Sequence, residues 1–293
     1  MLAGSMVALV TPMSANGAVD YAELSGLIDF HQDAGTEALI IAGTTGESAT
    51  LTHDEHLELL ERSCEMAAGR IPIIAGTGSN STQQTLELSV AASRLPIVAL
   101  LIVTPYYNKP TQEGLFRHYT TIADAVSKPV ILYNVPSRTA VDLKPATVIR
   151  LAAHPNIVGI KDATADLDRV AELRRGCGED FALLSGDDLT SREFMLLGGD
   201  GVISVTGNVA PAGLRALCDA ARAGQPDRAL AIDAKLADLH RDLFLESNPI
   251  PVKWALHATG QIGPGIRLPL TELSAEYRPA VRAAMAKAGI ALT

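Results

Sequence analysis

Lys161 ends the apolar run Ile157-Val158-Gly159-Ile160 and is followed by Asp162-Ala163-Thr164. A short apolar run bounded by turn formers reads as a buried strand. The lysine therefore stands at the mouth of that strand, partly removed from water. Desolvation disfavours the charged form of an amine, and a free amine adds to a carbonyl to form a Schiff base. The simpler alternative is a surface lysine paired with Asp162, because a charge near a core is usually paired. What the rest of the chain brings to the same place decides between them.

The elements that must position Lys161 alternate from end to end. Apolar strand candidates fall at Met6–Val10, Ala38–Ala42, Ile71–Ala75, Val98–Val103, Val130–Tyr133, Ile157–Lys161, Phe181–Ser185 and Gly201–Val205, with amphipathic stretches between them. In His53–Ala68 the residues Leu57, Leu60, Cys64 and Ala68 recur at helical spacing. Asp20-x-x-Glu23, Thr52-x-x-Glu55 and Ser81-x-x-Gln84 match capping boxes. Repeated βα units in this number predict a (β/α)8 TIM barrel. A doubly wound dinucleotide fold would need a glycine cluster after the first strand, where Thr11-Pro12 stands, and Gly76-Thr77-Gly78 lacks the third glycine. Beyond the barrel only helices are expected, over Leu214–Ala223, Arg228–Leu245, Ile250–Ala258 and Thr271–Ala288. The chain is thus divided into a catalytic barrel, 1–224, and a C-terminal helical extension, 225–293.

In such a barrel chemistry collects at the carboxyl ends of the strands. Those ends carry Gly43-Thr44-Thr45-Gly46-Glu47-Ser48, Gly76-Thr77-Gly78-Ser79-Asn80, Thr104-Pro105-Tyr106-Tyr107-Asn108, Tyr133-Asn134-Val135-Pro136-Ser137-Arg138-Thr139, Lys161, Ser185-Gly186-Asp187-Asp188 and Thr206-Gly207-Asn208. The Gly43–Gly46 stretch is either a tight turn or an anion nest of amides and hydroxyls. Tyr133 either caps the core or relays protons beside Lys161. Tyr106-Tyr107 could fill an interface. Arg138 is either a solvated charge or a planar fork for a carboxylate. His53 and His56 have no third ligand spaced to join them, so no metal is expected. Serine-hydrolase and zinc-protease motifs do not occur.

A net charge of −9 with pI near 5.3 argues against nucleic-acid or anionic-membrane partners. Hydrophobic residues at 47% with charged residues at 19% fit a soluble protein with ample core. Cys64, Cys177 and Cys218 are far apart without a CxxC, which suggests free thiols in a reducing cytoplasm. Met1 to Val10 lacks the features of a signal peptide, and no apolar run is long enough for a bilayer span.

The stretches Gly43-Thr44-Thr45-Gly46-Glu47-Ser48-Ala49-Thr50-Leu51, Val103-Thr104-Pro105-Tyr106-Tyr107-Asn108-Lys109-Pro110, Tyr133 to Thr139, Gly159 to Thr164, Leu184 to Asp188, Gly201 to Val205 and Asn248-Pro249-Ile250-Pro251-Val252-Lys253 together resemble the dihydrodipicolinate synthase family. The resemblance runs from the first strand to the last helix. It implies a pyruvate-dependent class I aldolase, a lyase that needs neither cofactor nor metal. Lys161 forms a Schiff base with pyruvate, Thr45 and Gly46 hold the pyruvate carboxylate, and the enamine attacks L-aspartate 4-semialdehyde. The product is 4-hydroxy-tetrahydrodipicolinate, on the route to diaminopimelate and lysine. Tyr133, Thr44 and Tyr107 resemble the proton relay, Tyr107 coming from a neighbouring subunit of a homotetramer built as a dimer of dimers. Arg138 matches the clamp for the semialdehyde carboxylate; Gly186 and Ile203 match further substrate-binding positions.

The resemblance also implies a lysine effector site at Ser48, Ala49, His53, His56, Asn80, Gln84 and Tyr106. Gln84 departs from the acidic residue of many lysine-sensitive members, so weakened feedback is expected. Ala140 and Ala165 stand where some members have glycine. The alternatives are a sibling aldolase, such as N-acetylneuraminate lyase or a 2-keto-3-deoxy sugar-acid aldolase, and a catalytically inactive sensor of small oxo acids.

Overall fold

A computed structural model describes residues 2–292. Eight parallel strands close into a barrel, each paired with its sequence neighbours and the first with the last. They are β1 (Gly4–Ala8), β2 (Ala38–Ile41), β3 (Ile73–Gly76), β4 (Ala99–Val103), β5 (Val130–Asn134), β6 (Ile157–Asp162), β7 (Ala182–Ser185) and β8 (Gly201–Ser204). Each matches an expected strand, the bounds moving by one or two residues. The helices of the barrel are α1 (Tyr21–Asp33), α2 (His53–Ala67), α3 (Thr82–Ala92), α4 (Gln112–Ala125), the single turn α5 (Pro136–Thr139), α6 (Pro145–Ala152), α7 (Asp168–Cys177), α8 (Ser191–Leu196) and α9 (Pro211–Arg222). The extension adds α10 (Pro226–Asp242), α11 (Ile250–Ala258) and α12 (Arg278–Lys287). α10 packs on α9 and α12. Of the expected division into 1–224 and 225–293, Met1 and Thr293 lie outside the described residues.

Period-two alternation sorts the strand residues into two apolar layers. Met6, Ala8, Ala38, Ile40, Ile74, Leu101, Ile131, Tyr133, Leu184 and Ile203 fill the lumen. Val7, Leu9, Leu39, Ile41, Leu100, Ile102, Leu132 and Ile160 face outward, where the helices cover them. A buried residue of this size contributes about 1.5–3 kcal/mol through lost hydration.

Local signals were followed unevenly. Thr52 and Glu55 form the complete reciprocal box at the start of α2. Asp20 caps α1 through the amides of Ala22 and Glu23, but the Glu23 carboxylate accepts from the Gly263 amide instead of closing the box. Ser81 caps α3, whereas the Gln84 side chain accepts from the Ser79 hydroxyl at 3.0 Å. The buried stripe of α2 is His56, Leu59, Leu60, Ser63, Cys64 and Ala67; Leu57 is half-buried, and Ala68 ends the helix in a left-handed conformation. The helix expected over Thr271–Ala288 begins only at Arg278. Before it, Glu246 accepts from the amide of Ser274, and the Arg278 guanidinium donates to the Leu273 carbonyl. These bonds fold the preceding segment into turns.

Two buried histidines give the fold an acid limit. Burial lowers His31 and His118 to about 4, and Nε2 of each is buried without a hydrogen-bond partner. The unfolded chain protonates these rings near pH 6.5, so between about pH 6.5 and 4 it binds more protons than the folded chain. Stability is then complete above that window and falls as the pH drops through it, by up to about 3 kcal/mol per ring. Urea midpoints measured from pH 7 to 4.5 are expected to fall accordingly, and His31→Gln to flatten part of the slope; an unchanged slope would place the effect elsewhere.

Candidate active site

Lys161 lies on the lumen side of β6, 5% exposed, in register with Tyr133 of β5 and Leu184 of β7. Its Nζ sits 4.3 Å from the centre of the Tyr133 ring. Asp162, one residue on, points outward between sheet and helices and binds Arg169 at 2.9 Å. Arg169 in turn holds Asp142 at 3.0 Å. Burial pushes the Asp162 carboxyl up while Arg169 draws it back. Pairing of Lys161 with Asp162 is therefore not what the fold builds, and no carboxylate of the described residues forms an ion pair with the amine.

Gly186, just past β7, leaves room for that side chain. A Cβ there would meet Lys161 Cε at 3.0 Å and the Ala163 methyl at 2.8 Å. Its amide donates to the Asp162 carbonyl at 2.7 Å, fixing the two strand ends together. Ile203 is buried in the lumen on β8. Immediately beyond it, the amides of Val205 and Thr206 both donate to one oxygen of buried Asp188 at 2.9 Å.

The turn after β2 is tight. The Glu47 amide donates to the Thr44 carbonyl at 3.1 Å and the Ser48 amide to the Gly43 carbonyl at 3.3 Å. Thr45 is 2% exposed, and the Thr11 hydroxyl donates to the Gly46 carbonyl at 2.7 Å. Glu47 takes a left-handed conformation, φ 57°, and its carboxylate is buried against the Lys253 ammonium of α11. Its second oxygen accepts from the Arg267 amide at 3.1 Å. Burial holds Lys253 below the usual lysine range, with Glu47 pulling it back up. Asn248, just before α11, donates from Nδ2 to Thr45 Oγ1 at 2.9 Å.

A cleft of about 690 Å³ opens beside this turn. It brings Thr44 and Arg138 together with Ser48, Ala49, His53, His56, Gln84 and Tyr106. Asn80 is not among the lining residues; its carbonyl accepts from Asn108 Nδ2 at 2.8 Å. His56 Nε2 donates to the Gly76 carbonyl at 2.7 Å, and burial lowers its pKa. Among the described residues no group of three or more His, Cys, Asp or Glu could hold a metal. Arg138, on α5, donates to the Asn248 carbonyl at 3.3 Å. Tyr107 is 88% exposed with φ 73°, and turns away from the lumen of its own chain.

The arrangement is an amine among apolar and aromatic groups, beside a hydroxyl-rich turn and a guanidinium. It suits a substrate with a carbonyl next to a carboxylate. A model of the dihydrodipicolinate synthetase family matches residues 1–288. The chain belongs to that family. It is 58% identical over 292 residues to the 4-hydroxy-tetrahydrodipicolinate synthase of Thioalkalivibrio sulfidiphilus, covering 100% of this chain and 99% of that protein. The Methylococcus capsulatus enzyme of the same name is 58% identical over 99% of this chain and 100% of its own length. The chloride-inhibited dihydrodipicolinate synthase of Acinetobacter baumannii, solved with pyruvate, superposes with a TM-score of 0.98 at 52% identity, covering 99% and 100% of the two chains. The synthase of Cyanidioschyzon merolae, solved with lysine bound, gives 0.95 at 40%, covering 99% of each chain.

Asn248, Lys253 and Asp188 had no expected role from the sequence. Asn248 and Lys253 stand in the quoted Asn-Pro-Ile-Pro-Val-Lys run, yet only the fold shows them touching the turn after β2. The Lys253–Glu47 pair makes a measurable demand, its side chains being 5% and 0% exposed. Removing one member of a buried pair strands the other charge, at a cost of about 3–5 kcal/mol. Lys253→Met is expected to lower stability by that amount in urea titrations, while Arg62→Met, in an exposed pair, changes it by less than about 1 kcal/mol.

Proposed function

We propose that the protein condenses pyruvate with L-aspartate 4-semialdehyde to give 4-hydroxy-tetrahydrodipicolinate, as a class I aldolase whose only covalent catalyst is Lys161. The observation that carries this reading is the lumenal amine with no carboxylate partner, set against the Tyr133 ring. Relatives 58% identical over essentially the whole chain bear that activity in their names.

The Lys161 amine adds to the ketone carbon of pyruvate, and loss of water gives an iminium. That cation is the electron sink, which is why such chemistry takes no external cofactor. A proton leaves the pyruvate methyl, and the resulting enamine attacks the aldehyde carbon of the semialdehyde. Cyclisation and release of the amine complete the turnover. Thr45 and the amide of Gly46 hold the pyruvate carboxylate. Tyr133 and Thr44 move protons between the lumen and the cleft, Tyr107 of a neighbouring subunit completing the relay. Arg138 grips the semialdehyde carboxylate, and Gly186 and Ile203 shape the pocket around the imine. The exposed ring of Tyr107 supports assembly into a dimer of dimers. Among the described residues no helix is long and apolar enough to cross a membrane, and three free cysteines support a cytoplasmic setting.

Trapping with borohydride in the presence of pyruvate is expected to add one pyruvyl group at Lys161, located by mass spectrometry. Absence of the adduct would return the protein to the oxo-acid sensor reading. Turnover with aspartate semialdehyde but not with sugar aldehydes separates it from the sibling aldolases; the reverse pattern would overturn the synthase reading.

Ser48, Ala49, His53, His56, Asn80, Gln84 and Tyr106 form the lysine effector region of this reading. The Gln84 carbonyl oxygen accepts from the Ser79 hydroxyl and has a second lone pair for a ligand's ammonium, but it brings no charge. Glu87, the carboxylate lining the cleft, is held by Gln83 at 2.7 Å. Charge-assisted bonds are roughly twice as strong as neutral ones, so feedback is expected to be weak. Steady-state rates with added lysine should stay near the uninhibited value below 1 mM (about that scale), and Gln84→Glu should lower the half-inhibiting concentration. Strong sub-millimolar inhibition of the parent would overturn the assignment of Gln84.

A further inference from the structure

Asn248 touches both arms of the proposed substrate site without belonging to either. Its Nδ2 donates to Thr45 Oγ1 at 2.9 Å, and its main-chain oxygen accepts from the Arg138 guanidinium at 3.3 Å. It is 6% exposed, and its Oδ1 is buried without a hydrogen-bond partner. A buried orphan acceptor is unfavourable by about 1–3 kcal/mol, so a residue chosen for packing alone would not be an amide here. The contact with Thr45 crosses 203 positions of sequence, from the segment before α11 to the turn after β2.

We infer that Asn248 is a positioning residue that sets the direction of the Thr45 hydroxyl. An amide nitrogen only donates, whereas a hydroxyl can do both. With its oxygen accepting from Asn248, Thr45 keeps its own proton free for another acceptor. A carboxylate offers acceptors only, so this is the polarity needed to bind one. A reversed amide would accept the Thr45 proton and turn lone pairs toward the carboxylate. The Arg138 contact places the second carboxylate group at a fixed distance from the first, through one residue of the helical extension.

This inference rests on the aldolase reading, and the experiment keeps their failures apart. The half-saturating pyruvate concentration for borohydride-trapped adduct at Lys161 is measured in the parent, in Asn248→Ala, in Thr45→Val and in the double variant. No adduct in the parent overturns the aldolase reading itself. If Asn248 acts through Thr45, Asn248→Ala raises half-saturation about fivefold with the adduct at saturation unchanged. In the Thr45→Val background the same change then adds less than about twofold. Unchanged half-saturation in Asn248→Ala, or fully multiplicative losses in the double variant, overturns the inference. Asn248→Asp, the same shape as the parent, covers the case in which the alanine variant does not fold. It can accept but not donate, so it is expected to bind pyruvate more weakly than Asn248→Ala where both fold; parent-like half-saturation in Asn248→Asp overturns the inference.

Discussion

The strand carrying Lys161 sends that side chain into the barrel and the next one, Asp162, out toward the helices. One step along a strand thus separates two residues that would otherwise neutralise each other. The separation lasts because Asp162 has a better partner. Arg169 lies 2.9 Å away in the outer layer, is itself held by Asp142, and offers a planar fork in place of a flexible ammonium. Sheet geometry removes the counter-ion, and the Arg169 network keeps it removed. Everything else around the amine follows from having left it there: a glycine at 186 to admit its stem, an aromatic ring at 133 beside its nitrogen, and apolar Leu184 and Ile203 below.

The turn after β2 poses the complementary problem of holding polar groups rigidly on a loop. Among the described residues the barrel supplies two side-chain ties, from Thr11 to the Gly46 carbonyl and from Thr50 to the Glu47 carbonyl. The remaining ties come from the extension, through Asn248 on Thr45 and through Lys253 and the Arg267 amide on Glu47. Arg267 also donates to the carbonyls of Gly17 and Thr50 and pairs with Glu55 on α2. That pairing holds the Glu55 carboxyl down at about 2. A single arginine thereby joins the loops after β1 and β2 to the helix that lines the cleft. The helices after the barrel are part of how the active face is made.

Much of this was legible in the chain. Each strand could be read because burial on both faces demands a continuous apolar run, and the chemistry-bearing residues sit where those runs stop. The missing parts share a cause. Asn248, Lys253 and Asp188 act across 203, 206 and 17 positions, and nothing local marks a residue whose partner lies that far away. Gln84 matched a capping box by spacing, yet Ser79 competes for its side chain. Leu57 satisfied helical periodicity but lies at the margin of the stripe that α2 buries. Thr271 to Tyr277 reads as helix by composition alone; the Glu246 and Arg278 bonds that override it are tertiary.

Backbone strain separates the two ends of the barrel. Among the described residues, left-handed non-glycine conformations occur at Ala42, Glu47, Ala68, Tyr107, Lys109, Ala140 and Ala165. All but Ala68 lie where the chain leaves the carboxyl end of a strand. At the opposite end, where helices return to strands, Gly35, Gly69, Gly178 and Gly198 take the left-handed positions, and glycine adopts them without a steric penalty. A side chain there costs about 1–2 kcal/mol, and such strain persists only where surroundings over-determine it. Glu47 meets that condition through Lys253 and Arg267, and Ala165 follows a turn closed by the Thr164 amide on Asp162 at 2.9 Å. Ala140 and Ala165 carry only a methyl group into that conformation, so at these two turns strain has been accepted, not introduced for a role. Tyr107 differs: its strained backbone holds a large ring out in solvent, with no hydrogen bond to its side chain among the described residues. Its backbone is fixed by the Asn108 amide on the Tyr106 carbonyl at 2.9 Å, with Asn108 Nδ2 anchored on the Asn80 carbonyl at 2.8 Å, but among the described residues nothing bonds the phenol. A ring held out in this way is free to meet a second subunit, which is the arrangement that the proposed relay across an interface would require.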